Sequence, residues 1–162
     1  MKKLEISVET EGWFREEAIE ESIQFIKQCG FEGIDYGMGA LFKSTFEPEK
    51  LTSFFDRELD ELYDYFSEIK NVTVANEISI SQVHGLFPIY YLGQEAKNQY
   101  VIEVLKKMIA VCRYLDSNII VVHPWSNPEL RKEKVKQINL DIYRKLIPVA
   151  KEFDVTICLE NL

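Results

Sequence analysis

The chain contains two histidines, His84 in SQVHGLFP and His123 in IIVVHPWSNP, and each closes a short apolar run. A third run, 154-DVTICLENL-162, carries Glu160 in the same relative place. His84 and His123 are 39 residues apart, and His123 and Glu160 are 37 apart, so the three groups recur at nearly one interval. A glutamate does not enter an apolar strand unpaired, because burying the bare charge is costly or forces it to neutralise. Two imidazoles and a carboxylate at one height suit a divalent cation, or proton transfer at a sugar-like carbon. A lone histidine at a strand end is as often a hydrogen-bonded rim residue; the repetition at successive strand ends favours a shared site.

Three further residues sit at similar places. Asp35 in GFEGIDYG is expected either to touch substrate or to cap a turn before Gly37, and Trp125 either to stack on a sugar face or to cover a rim. Glu9 is the remaining acidic candidate, at the end of the first run. The charged stretch from Arg131 to Lys136 reads as the solvated face of a helix.

Bringing these groups together requires elements that end side by side. Five β-like runs cover residues 4–9, 31–37, 78–85, 118–124 and 155–161, and helical segments separate them. Glu16 to Cys29 sets Ile19, Ile23 and Ile26 on one stripe and stops at Gly30. Asp56 to Lys70 spaces Leu59, Leu62, Tyr63, Phe66 and Ile69 as a helix does, and Tyr100 to Leu115 repeats the pattern. A fourth helix runs from Pro128 to Phe153, with a kink expected at Pro148. Strand and helix alternating in this way give an α/β fold with parallel strands, since parallel neighbours need a crossover. The constant interval favours a (β/α)8 barrel of TIM type over an open doubly wound sheet. An open sheet usually carries a glycine-rich phosphate loop after strand one, whereas ETEGWFREE has a single glycine.

The whole chain sets the bounds. Its 162 residues, 46% hydrophobic, are expected to form one domain, residues 1–162. A net charge of -8 disfavours nucleic acid as a partner. No stretch is long and apolar enough to predict a membrane span, and the amino terminus lacks the apolar core of a secretory signal, so the cytoplasm is the expected location. Cys29, Cys112 and Cys158 read as buried free thiols, which fits a reducing compartment.

The strings GFEGIDYG, SQVHGLFP, NIIVVHPW and ICLENL, in this order and spacing, resemble the xylose isomerase-like TIM-barrel superfamily. That superfamily contains sugar and sugar phosphate isomerases and epimerases and the endonuclease IV group. The resemblance implies that Glu160 is a ligand of a divalent cation (Mn, Mg, Zn or Co) and an acid-base group, with His123 beside it in catalysis. It places His84 and His123 at the substrate or metal end of strands three and four and Asp35 where many relatives hold an acidic residue, with Trp125 read as a further substrate-side candidate. The implied activity is metal-dependent isomerisation or epimerisation of a sugar or sugar phosphate by proton transfer next to a carbonyl.

Relatives take further metal ligands from strands six to eight, which these residues do not include, and a full barrel needs about 200–250 residues. The expectation is therefore an incomplete barrel of five strands and four helices, its amino-terminal portion. Its two imidazoles, read as distant, would hold metal weakly, and turnover is not expected from it alone. An inner sheet face that is apolar where the missing strands would pack is expected too, with homo-oligomers or aggregation as the result. The competing readings are an endonuclease IV-like metal-dependent phosphodiesterase and a non-catalytic half-barrel that self-associates.

Overall fold

The computed structural model describes residues 5–160, so Leu4 and Asn161 of the expected strands lie outside it. Five strands form one sheet in the order β1-β2-β3-β4-β5, every neighbouring pair parallel. They are β1 (Ser7–Glu9), β2 (Gly33–Gly37), β3 (Ser79–His84), β4 (Ile119–Val121) and β5 (Thr156–Cys158). The helices are α1 (Ile19–Gln28), α2 (Gly39–Thr45), α3 (Leu59–Ala75), α4 (Glu95–Tyr114) and α5 (Lys132–Glu152). This is a partial TIM barrel, as the alternation predicts. It has one helix more than expected: α2 is only seven residues long and opens on glycine, which hides it from periodicity.

The long helices pack in chain order, α1 on α3, α3 on α4 and α4 on α5. Their apolar stripes meet one face of the sheet. Ile34, Val83 and Ile120 are fully buried there, with Ile23 of α1, Phe66 of α3 and Leu105 of α4 in the same cluster. Each such side chain contributes about 1.5–3 kcal/mol by leaving water. Helix α5 runs through Pro148 to Glu152 without interruption.

Helix ends fix where the strands begin. After α1, Gly30 adopts φ +86°, donating its N–H to Lys27 O while Phe31 N–H donates to Ile26 O. This paired closure leaves a residue in left-handed geometry just past the helix. The same two bonds close α3, α4 and α5, but there the left-handed residues are Glu77, Asp116 and Asp154.

The opposite, concave face differs from expectation. Pairing places Ser7, Gly33 and Ser79 in one row, and Glu9, Asp35 and Gln82 in the next. This face is therefore polar and small on β1 to β3, and becomes apolar only toward Ile119 and Val121. The expected apolar inner face is corrected on that point. The reason is close approach: a Cβ on Gly33 would meet Ser79 Oγ at 2.5 Å and Ser7 Oγ at 2.6 Å, leaving no room for a large side chain.

A register shift between Ile34 and Asp35 adds one residue to β3, Ser81, whose hydroxyl donates to Ile34 O. Because strand side chains alternate, the extra residue moves Gln82 and His84 onto the face shared by Asp35. Without it His84 would point into the helix layer.

The three cysteines are free, as expected, but only Cys112 is fully buried and Cys29, at the end of α1, is exposed. No described helix is long and apolar enough to cross a membrane.

Candidate active site

Three consecutive strand ends bring His84, His123 and Glu160 together. His84 closes β3, while His123 and Glu160 each lie two residues past β4 and β5, so that alternation keeps them on the concave face. One ligand-capable atom from each lies within 4.8 Å of the others. His84 Nε2 is 3.1 Å from Glu160 Oε2, and His123 Nε2 is 3.8 Å from the same oxygen. The two imidazole centroids are 5.3 Å apart, so the imidazoles are adjacent rather than distant. Glu160 is paired, although its side chain is 57% exposed.

A second layer of contacts holds the rings. His84 donates from Nδ1 to Asp35 Oδ1 at 2.8 Å, and Gln82 donates to Asp35 Oδ2 at 2.6 Å. Asp35 is 8% exposed, and its own backbone carbonyl accepts from the Thr10 hydroxyl. His123 Nδ1 lies 3.3 Å from the Glu160 backbone carbonyl, and Phe87 packs edge-on against the ring. The Asp35 hydrogen bond, opposed by partial burial and aided by the charges of Asp35 and Glu160, lifts the His84 pKa from 6.5 to about 9. With no cation present, His84 therefore carries a proton on each nitrogen at neutral pH.

The donor set fits a divalent cation. Nδ1 of each imidazole is engaged, which turns both Nε2 atoms toward one carboxylate oxygen. A carboxylate holding Nδ1–H is the usual support for a metal-ligating histidine. Three protein ligands with an open position is the catalytic rather than the structural pattern for zinc. A cation would have to displace the Nε2 proton of His84.

The other sequence-predicted residues fall in different places. Asp35 reaches the site through His84. Trp125 is buried, its backbone N–H and C=O both bonded to the Asn139 side chain and its ring edge-on to Tyr90. It lines a separate cleft of about 610 Å³, away from the imidazoles. The cleft over His84 and His123, about 250 Å³, is lined instead by Glu11, Lys43 and Phe87, together with Gly37, Gly39 and Gly85. Sequence reasoning missed these: Lys43 sits on the unanticipated α2, and Glu11 on an irregular loop. Gln82 had a signal, lying two residues before His84 on the same strand.

The sequence profile of the xylose isomerase-like TIM barrel family matches residues 6–162. The chain belongs to that family. Among solved structures, its fold is similar to the 3-keto-D-glucoside 4-epimerase of E. coli, at 17% identity and a TM-score of 0.71, covering 99% of this chain and 57% of that one. It is similar to a sugar phosphate isomerase/epimerase from Parabacteroides distasonis, at 15% identity and a TM-score of 0.63, covering 99% and 52%. It is also similar to the IolI protein solved with a zinc atom bound, at 20% identity and a TM-score of 0.62, covering 98% and 52%. The chain spans about half the length of these structures. No curated protein matches it significantly.

Proposed function

We propose that this family member acts on a sugar or sugar phosphate as an isomerase or epimerase, with a divalent cation held by His84, His123 and Glu160. The observation that carries the reading is the convergence of those three groups within 4.8 Å at successive strand ends. When bound, the cation would supply positive charge to adjacent substrate oxygens and stabilise negative charge developing there. Glu160 is the exposed carboxylate of the set and the group placed to move a proton next to a carbonyl. Asp35 acts as a positioning residue, fixing the His84 tautomer and ring plane. The cleft glycines leave backbone close to a sugar, and the cytoplasm is the proposed location.

The test is an isomerase and epimerase assay over aldoses, ketoses and their phosphates, run with zinc, manganese or magnesium. Because the imidazoles are adjacent and not distant, turnover replaces the expectation of an inactive chain, and its disappearance in Glu160→Gln, with the fold retained by circular dichroism, is the expected result. Cleavage of abasic-site DNA with no sugar turnover would replace this reading by a metal-dependent phosphodiesterase.

A further inference from the structure

The cleft over the imidazoles, about 250 Å³, is small beside the roughly 300–1,000 Å³ of ordinary ligand pockets. It is not isolated. A second cleft of about 330 Å³ adjoins it, and Glu11 and Gly37 line both. The divide between the two is slight. Gly37 contributes no side chain, and although the Glu11 backbone N–H donates to Glu9 Oε1, its carboxylate is engaged by an exposed pair with Lys43 at 3.2 Å, a contact of little energetic weight.

The outer compartment has its own chemistry. Phe14 and Tyr65 supply aromatic surface, while Glu16 and Ser44 supply polar groups. Tyr65 is 40% exposed yet fixed, its ring 4.5 Å from Phe54 and 5.1 Å from Phe66, centroid to centroid. Phe14 rests edge-on against buried Tyr36. Tyr36 donates its hydroxyl to Glu16 Oε1 at 2.7 Å, which orients the carboxylate. A carboxylate offers about four lone-pair sites and Tyr36 uses one, so capacity remains for ligand hydroxyls. Glu16 as a whole is exposed, yet the surroundings of its carboxyl are dry enough to raise its pKa, against the lowering effect of the Tyr36 bond. Aromatic faces beside an oriented carboxylate are what a sugar or aryl ring requires: apolar C–H or ring surface on one side, hydroxyls on the other.

We infer that the substrate has two parts, with the reacting sugar over His84 and His123 and a second ring, glycosidically linked, between Phe14, Tyr65, Glu16 and Ser44. This rests on the sugar reading above and narrows it to glycosides. It assigns Glu16 and Tyr65 to specificity, with no part in the chemical step.

The experiment is titration calorimetry on the full chain loaded with zinc. The ligands are D-glucose, D-galactose and D-xylose, each also as its phenyl glycoside, together with maltose, cellobiose and lactose. At least one glycoside is expected to bind about tenfold or more tighter than its free monosaccharide. Of the two compartments Ala40 lines the outer one, and it is exposed on α2, so Ala40→Trp fills that space from the helix. In that variant the glycoside advantage should vanish while monosaccharide and zinc binding stay unchanged. Tyr65→Ala should reduce the same advantage. Equal binding of free sugars and glycosides by the wild type, or an advantage that survives Ala40→Trp, would overturn the two-part substrate and leave the sugar reading standing. Zinc binding with no sugar or glycoside bound would remove both.

Discussion

The two faces of the single sheet follow opposite rules. On the helix side, Ile34, Val83 and Ile120 are fully buried in a continuous apolar cluster. On the concave side the neighbouring positions are Ser7, Glu9, Asp35, Gln82 and His84, small or polar, hydrogen-bonded and partly wet. Alternation along each strand assigns one residue to each face, so stability and chemistry are written in interleaved positions of the same segment. The outer face therefore tolerates little loss of volume, whereas the inner face is sensitive to charge and protonation.

The largest effect should come from the outer face. Phe66 is fully buried among Tyr36, Phe54, Phe55 and Tyr65, so Phe66→Ala should cost about 3–5 kcal/mol, read by urea denaturation. A cost below about 1 kcal/mol would break the comparison, since it would mean that the helix layer is not the stabilising one.

The inner face should respond to pH instead. Without metal, His84 has its pKa raised to about 9 from 6.5. A raised pKa means the folded state holds the proton more tightly. The stabilisation is fully present below about pH 6.5 and is lost as pH climbs through about 9, on the order of 3 kcal/mol in all. Asp35→Asn should flatten this dependence, because the Asp35 hydrogen bond is the leading cause of the shift. A pH–stability curve of equal slope in the variant would show that Asp35 does not hold His84. The same variant should weaken zinc binding by about 10–100-fold through loss of the ring's support.

The smallest effect belongs to neither face. Asp154 holds a left-handed conformation at the end of α5, at φ +54°. Asp154→Gly should stabilise the chain by about 0.5 kcal/mol, since glycine meets no steric penalty there but gives up more chain entropy on folding. Destabilisation in thermal melts would show instead that the aspartate side chain matters at this turn.

Those helix ends also mark what the sequence made legible. Gly30 announced the end of α1, whereas Glu77, Asp116 and Asp154 perform the same closure with residues that give no such signal; α4 and α5 nonetheless end within one residue of the expected Leu115 and Phe153. Helix α3 runs on to Ala75, past the expected Lys70. The parallel order and the stripe Ile19, Ile23, Ile26 were readable because hydrophobic periodicity encodes them directly. The meeting of His84, His123 and Glu160 was readable from their constant interval. Their closeness was not, because it depends on the extra residue Ser81 in β3, and a bulge leaves no mark in composition. Nor was the burial of Trp125, which Asn139 on α5 fixes from 14 positions along the chain.

The central claim is that His84, His123 and Glu160 form one site. Its most direct test is calorimetric titration of zinc into the metal-free chain near neutral pH, alongside His123→Ala and Glu160→Gln checked for fold by circular dichroism. The account predicts one zinc per chain, with proton release as His84 gives up Nε2–H, and affinity weakened by about 100-fold or more in each variant. Saturable binding of equal strength in the wild type and both variants, or no binding by the wild type, would contradict it.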